Sequence, residues 1–565
     1  MSSEPGTDPI TLEIIASALQ ATGDQMFAAL RRTAMSAIIY EVLDAGTAIT
    51  DASGQLVSSG AGIPTFVAVL DRAVKRIREL HASDEIRPGD VFITNDPAYG
   101  GVTHLNDVVV ALPVFDDGEL IAWTANIAHW NDVGGMAPGS ISTHASEIFQ
   151  EGLRLPAIKL LDAGEPVRPV FDILRANSRL PDFLHGDLWA GIAAARVGER
   201  RILELVRRYG RSAFAEAVTS EIAYGERVAR EGVRQLPDGR FHLEEEQDSG
   251  AVYTVTVEVR DGEFVVDLRD NPDQDPGPNN LSRDGATIAA QMALMNAIGL
   301  QGSANAGHLR PLTVLTRSGS IFDPSPTAAC GLYYETRVAL YDLILRCLAP
   351  HLAQRLPAGS FASICGTFIG GTHPDTGRHF TIVEPEVGGW GASGDRDGNS
   401  ALFSPVHGDT FNCPAEVAEG RYGLYVEQLA LTNSPGGAGE HRGGRGITLD
   451  YRVRGDGCFL TFAYRRSVHP PWSLSGGNPG SSNYVEVLRR DGSLERHRAV
   501  TALPLSSGDL IRIHTANGGG FGDPRQRARQ RVCNDVRNGY VSAAEALEVY
   551  GVTPDMGAGS QTGVS

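Results

Sequence analysis

The chain has 565 residues, 42% hydrophobic and 21% charged, which is enough apolar material for a buried interior and too long for one ordinary core. Against 49 Lys and Arg stand 68 Asp and Glu, a formal net charge of -19, which excludes nucleic acid as a main partner because phosphate binding needs a basic surface. No stretch holds the roughly 20 apolar residues of a membrane-spanning helix, and "MSSEPGTDPITLE" lacks the basic and apolar regions of a secretory signal. The six Cys contain no CxxC pair, so the expectation is reduced, buried thiols in a cytoplasmic protein with no membrane partner.

The first helix is signalled by Asp8 as N-cap and Pro9 at the first helical position. Ile10, Ile14, Ala18, Met26 and Leu30 then recur at helical spacing, which predicts a helix to about Ile38, weakened at Gly23. The alternation in "AGTAITDASGQLVSSG" breaks at Ser53-Gly54, a hairpin signal. A helix over about Val67 to Leu80 follows. "DVFITND" and "DVVVALPVFDDGELIAWTANIAH" read as strands, the second folded at Asp117-Gly118. From about Asp172 to Val233 the pattern is helical, with a solvated face. "YTVTVEVRDGEFVVDLRD" is a hairpin turning at Asp261-Gly262. "GATIAAQMALMNAIG" and "YYETRVALYDLILRCLAPHLA" return to helix. Strands dominate from about Leu429 to Ile513, and a last helix opens on a Ser542/Glu545 capping box and stops at Gly551. The mixture predicts an α+β, multidomain protein with largely antiparallel sheets. Its expected divisions are 1–170, α+β; 171–250, helical; 251–425, a central α+β domain; 426–524, β-rich; and 525–565, a helical tail.

Two stretches carry possible metal chemistry. "NDPAYGGVTHLND" holds His104 and Asp107 after Gly100-Gly101, and "HWNDVGG" holds His129 and Asp132 before Gly134-Gly135. His104 and His129 lie almost symmetrically about Asp117-Gly118, so one hairpin brings them together. His and carboxylate are good ligands for Zn, Mn or Fe. The same residues could instead cap turns and bond backbone, and spacing alone leaves both readings open. Downstream, "STHASEIFQEG" offers His144, Glu147 and Glu151, either acid–base groups or a solvated loop. Three Gly-rich stretches, "GGWGASGDRDG", "SPGGAGEHRGGRG" and "NGGGFGDP", could cradle an anion, but tight packing against another chain or domain is the favoured reading. None is a P-loop or a dinucleotide fingerprint.

Together "NDPAYGGVTHLND", "HWNDVGG", "EIFQEGLRLP", "GGWGASGDRDG", "SPVHGDTFN", "GGAGEHRGGRG" and "NGGGFGDP" resemble, in order, the hydantoinase B/oxoprolinase family, from about Thr11 to Val552. The resemblance implies a B-type subunit of an ATP-dependent enzyme that opens a cyclic amide, a hydantoin or a lactam. ATP would be bound by a hydantoinase A-type partner subunit, and metal-bound water here would attack the activated carbonyl. Subunits of ATP-dependent ketone carboxylases belong to the same family, so a ketone substrate is the alternative; a non-catalytic scaffold for the A-type subunit is a further one. The ligands implied for a divalent Mn, Zn or Fe are Glu41, His104, Asp107 and His129, with Asp132 orienting His129. Asp132, His144 and Glu147 are the expected catalytic residues. In place of His residues common in relatives, the chain has Gly62, Phe66 and Trp130, which implies a pocket made more apolar by Phe66 and Trp130.

Overall fold

The computed structural model describes residues 7–98, 102–300, 302–408 and 410–554, so Gly100 and Gly101 lie outside the described residues. Helix α1 (Pro9–Thr33) starts where expected, with the Thr11 amide donating to the Asp8 carboxylate at 3.0 Å. It stops short of Ile38, and a single turn, α2 (Ala37–Tyr40), follows. The cause is tertiary. Met35 and Ser36 donate their amides to Asp187 Oδ1 at 2.7 and 3.1 Å, and such bonds outcompete a continued helix. Gly23, which weakens the helix locally, is needed for packing: a Cβ there would strike the Gly60 backbone.

Strands β1 (Ala45–Asp51), β2 (Leu56–Gly62), β3 (Val91–Thr94), β4 (Asp107–Asp116), β5 (Glu119–His129), β6 (Ile158–Asp162) and β7 (Glu165–Pro166) form an antiparallel sheet in the order β2-β1-β5-β4-β3-β6-β7. Asp117 and Gly118 take φ of 48 and 80°, the left-handed pair of a tight hairpin. β4 and the inner end of β5 are buried on both faces. On one face lies α5 (Pro181–Tyr209), which follows α4 (Arg168–Asn177) and precedes α6 (Arg211–Arg234). Thr124 and Asn126, alternate residues of β5, donate to α5 carbonyls at 3.0 and 2.8 Å. On the other face, α3 (Pro64–Leu80) brings Phe66 beside Ile127.

A four-stranded sheet follows from β8 (Gly239–Glu246), β9 (Val252–Arg260), β10 (Glu263–Asp267) and β11 (Leu312–Leu315); β11 pairs parallel, the rest antiparallel. Helix α7 (Arg283–Ile298) packs on α8 (Tyr333–Leu348), whose side chains are buried almost throughout. The last third supplies β12 (Thr367–Thr372), β13 (His379–Glu384), α9 (Ala415–Arg421), β14 (Leu424–Leu431), β15 (Ile447–Val453), β16 (Cys458–Ala463), β17 (Tyr484–Leu488), β18 (Leu494–His497), β19 (Ala499–Leu505) and β20 (Leu510–His514). They build two antiparallel sheets, β13-β12-β16-β19 and β14-β15-β20-β17-β18. The fold is thus α+β with several sheets. One buried cluster runs from Ile15 to Phe521, and a small second one joins α10 (Arg529–Arg537) to α11 (Ala543–Glu548). The Ser542/Glu545 capping box opens α11.

The three Gly-rich stretches pack against one another. Gly389 donates to Ala516, Gly444 to Trp390, Gly437 to Gly518 and Gly518 to Gly444, all near 2.9 Å. A Cβ on Gly443 would lie on the Gly518 carbonyl, and one on Gly518 on the Trp390 carbonyl. The amides are spent on this backbone bundle, which favours packing over an anion cradle. The six Cys are free thiols, all buried except the half-buried Cys533. Among the described residues no helix is long and apolar enough to cross a membrane.

Candidate metal centre

The β4–β5 hairpin places Asp107, the first residue of β4, directly opposite His129, the last of β5. His104 sits in the turn before β4, where the Asp107 amide donates to the His104 carbonyl at 3.1 Å. Two buried amide side chains clip this turn in place. Asn95 donates to the Leu105 and Leu153 carbonyls, and Asn106 to the Trp130 and Gly139 carbonyls. The result is a buried trio, His104, Asp107 and His129, whose ligand atoms all lie within 4.8 Å of one another.

Each member is oriented from behind. His104 Nδ1 lies 3.2 Å from the Gly331 carbonyl, which makes Nδ1 the protonated nitrogen and turns the Nε2 lone pair toward Asp107 Oδ1, also at 3.2 Å. Asp107 Oδ2 accepts from Thr103 at 2.5 Å and from the Tyr333 hydroxyl at 2.8 Å, while Oδ1 accepts no conventional hydrogen bond. His129 Nδ1 is likewise unpartnered. Burial raises the Asp107 carboxyl, but the two facing imidazoles and Thr103 outweigh it and bring it to about 2. Burial, and then His104, push His129 down to about 3, so its ring is neutral with a free lone pair. Inward-pointing lone pairs on two imidazoles and a carboxylate are the donor set of Zn, Mn and Fe sites.

The trio opens on a cavity of about 40 Å3, also lined by Asp44, Phe66, Tyr333, Tyr334, Arg337, Glu384 and His407. Asp44 precedes β1, and the His129 amide donates to its carbonyl at 3.0 Å. Its Oδ1 is buried without a partner; burial, and then the nearby Asp107 charge, raise the carboxyl well above the usual range. A sequence reading misses Asp44, yet it lies three residues beyond Glu41 in the same "YEVLD" stretch.

The structure places the other expected residues elsewhere. Glu41 caps the single turn α2, half-buried, and lines a surface groove with Arg31, Tyr40 and Arg421. It is therefore not brought to the trio; the chain turns inward only at Asp44. Asp132 does not reach His129. Its oxygens accept from the Gly134, Gly139 and Arg179 amides and pair with the Arg179 guanidinium at 2.9 Å, so it shapes the glycine turn. His144 is exposed on a different groove, beside Glu335 and Arg465. Glu147 is exposed and caps a short 3-10 turn with Gln150. Glu151 is the member of that stretch tied to the trio: it accepts from the Cys330 and Gly331 amides at 3.0 and 2.6 Å and so holds the carbonyl that orients His104. Burial raises its carboxyl to about 7. Phe66 lines the cavity, whereas Trp130 is buried away from its lining.

The chain is similar to known proteins over nearly its whole length. The B component of a putative D-/L-hydantoinase from Pseudomonas sp. (strain NS671) is 30% identical over 97% of this chain and 95% of its own length. The beta chain of caprolactamase from Pseudomonas jessenii is 31% identical over 97% and 96%. A crystal structure of ATP-dependent caprolactamase from Pseudomonas jessenii matches with a TM-score of 0.90 at 29% identity, over 98% of this chain and 97% of that one. An acetone carboxylase in its nucleotide-free form shares the fold, with a TM-score of 0.87 at 20% identity over 96% and 79%. The model of the hydantoinase B/oxoprolinase family matches residues 8–524, and the chain belongs to that family.

Proposed function

We propose that this chain is the metal-carrying B-type subunit of an ATP-dependent hydrolase of cyclic amides, hydantoins or lactams, acting with an A-type subunit that binds ATP. The observation that carries this reading is the buried convergence of His104, Asp107 and His129 within 4.8 Å, with lone pairs left unpartnered. With Asp44 they would hold one divalent Mn, Zn or Fe ion. Such an ion, when bound, lowers the pKa of water and polarises a carbonyl. The chain's own residues orient and shield. The Gly331 carbonyl keeps His104 in one tautomer, Thr103 and Tyr333 fix the carboxylate of Asp107, and Phe66 and Phe368 wall the cavity against bulk water. The hydantoinase and caprolactamase relatives are each one subunit of their enzymes, which supports a partner chain, and the sequence contains no P-loop.

The test is co-purification with an A-type partner, elemental analysis, and an ATPase and ring-opening screen over hydantoins, lactams and ketones. The expected result is one divalent ion per copy of this chain and ring opening that His104→Ala and Asp107→Ala abolish. A metal-free complex whose activity survives both substitutions sinks the reading. ATP consumption that requires bicarbonate and a ketone replaces the hydrolase by a carboxylase.

A further inference from the structure

The polar atoms without partners around the cavity divide by chemistry. On one side are lone pairs: Asp44 Oδ1, Asp107 Oδ1 and His129 Nδ1. On the other are Tyr334 Oη, Arg337 Nε and both ring nitrogens of His407. These last three residues are 7%, 1% and 5% exposed, so water cannot satisfy them from outside. An unpartnered buried donor costs roughly 1–3 kcal/mol, more for a charged one, so three in one cavity point to a missing acceptor.

Arg337 is the least expected of the three. It is a fully buried guanidinium that forms no ion pair among the described residues. Its Nη1 donates only to neutral oxygens, Thr65 Oγ1 at 2.8 Å and Tyr333 Oη at 3.4 Å. Its guanidinium lies 5.2 Å from the centre of the Tyr333 ring and its charge reaches the Asp44 carboxyl, but it has no ion-pair partner; a buried cation is costly, and an anion beside it offsets that cost. Tyr334 and Arg337 are three residues apart on α8 and share its cavity face. His407 reaches the same cavity from the short turn Pro405–His407. Thr65 ties the two together: its hydroxyl accepts from Arg337 and donates to the Val406 carbonyl at 3.0 Å. The donors are thus held in place before any ligand arrives, as stabilisation of a developing negative charge requires.

We propose that Tyr334, Arg337 and His407 form a subsite for an anionic oxygen of the substrate, a carboxylate or oxyanion seated across the cavity from His104, Asp107 and His129. The subsite rests on the reading of that trio as a cation site, because the Asp107 carboxylate without a cation would repel the same anion. The cavity of about 40 Å3 has room for about three water-sized atoms. It therefore takes the oxygen and the carbon that bears it, with the rest of the substrate outside.

Formate, an oxyanion of this size, is the probe. It is titrated calorimetrically into the zinc-loaded full-length chain, and zinc content is measured in every sample. Wild type should bind formate. His407→Leu, which removes both nitrogens, and Tyr334→Phe, which removes only the hydroxyl, should each weaken binding about tenfold or more, as expected for a hydrogen bond to a charged group. Both should keep one zinc per chain, and either variant alone decides if the other fails to fold. His407→Gln, which restores an N–H, should recover part of the affinity. Formate affinity within twofold of wild type in the variants overturns the subsite, as does zinc-loaded wild type that binds no formate. Loss of zinc from the variants also overturns it, since the residues would then belong to the cation site. A wild-type chain that takes up no zinc overturns the cation reading, and the subsite falls with it.

Discussion

Replacing Tyr333 by Phe removes one hydroxyl and almost no volume. That hydroxyl donates to Asp107 Oδ2 at 2.8 Å, inside a helix face that is buried throughout. Thr103 donates to the same oxygen at 2.5 Å, so Asp107 keeps one of its two donors. Two effects compete. Losing a donor makes the carboxylate more basic, which tightens its bond to a cation. The same loss frees the carboxylate to rotate Oδ1 away from His104. Partners behind metal ligands are typically worth 10- to 100-fold in affinity, so orientation wins. A hydrogen bond to a charged group contributes about 1.5–3 kcal/mol, and one of two shared donors places Tyr333→Phe near 2 kcal/mol, or about 30-fold in zinc affinity. The assay is zinc competition against a chromophoric chelator at fixed pH, with Thr103→Val and the double variant completing a cycle. Zinc affinity within twofold of wild type in Tyr333→Phe refutes the idea that this hydroxyl positions Asp107.

Three further outcomes test the fold. Gly518→Ala should destabilise by more than about 4 kcal/mol or leave the chain insoluble, because the new Cβ has only the Trp390 carbonyl to move into; Gly420→Ala, in open space on α9, should be neutral or stabilise by roughly 0.5–1 kcal/mol in the same urea melts. Asp187→Ala should cost about 3 kcal/mol, since the Met35 amide and the buried Ser36 amide and hydroxyl lose their acceptor; wild-type stability in urea would refute the account of why α1 stops at Thr33. Glu335, buried between Ser363 and Arg465, has its carboxyl raised from 4.5 to about 7 by burial. Its folded pKa lies above its unfolded one, so its contribution is full below about pH 4.5 and is lost as pH rises through 7, a span of roughly 3 kcal/mol. The stability gap between wild type and Glu335→Gln should therefore shift in favour of wild type as pH falls from 8 to 5, and a gap that does not change with pH contradicts it.

Much of this molecule was legible from local pattern. The Asp8 cap, the Asp117-Gly118 and Asp261-Gly262 turns and the Ser542/Glu545 box are local chemistry, so short sequence windows announce them. The hairpin at Asp117-Gly118 brings the two segments together, but the register sets Asp107, not His104, opposite His129; His104 reaches His129 from the turn before β4, with ring centroids 5.2 Å apart. Asp132, by contrast, shares the H-x-x-D spacing of Asp107, but Arg179 and two glycine amides claim it from outside the hairpin. No local signal separates the two. Glu41 and Asp44 are both carboxylates of one short stretch. Only the bond from the His129 amide to the Asp44 carbonyl decides which of them faces the cavity.

The far wall of the cavity was decided by tertiary structure alone. Tyr333, Tyr334 and Arg337 look in sequence like the polar edge of an ordinary helix, and His407 like a loop residue. They meet the hairpin because α8 is buried almost throughout and Thr65 ties it to the Pro405–His407 turn. Sequence by itself determined the elements, their turns and the two halves of the H-x-x-D pair, because propensity and turn chemistry act over a few residues. Which carboxylate lines the cavity, and which donors face it, depended on packing between segments far apart in the chain, where the cost of burying unpaired polar groups selects the partners.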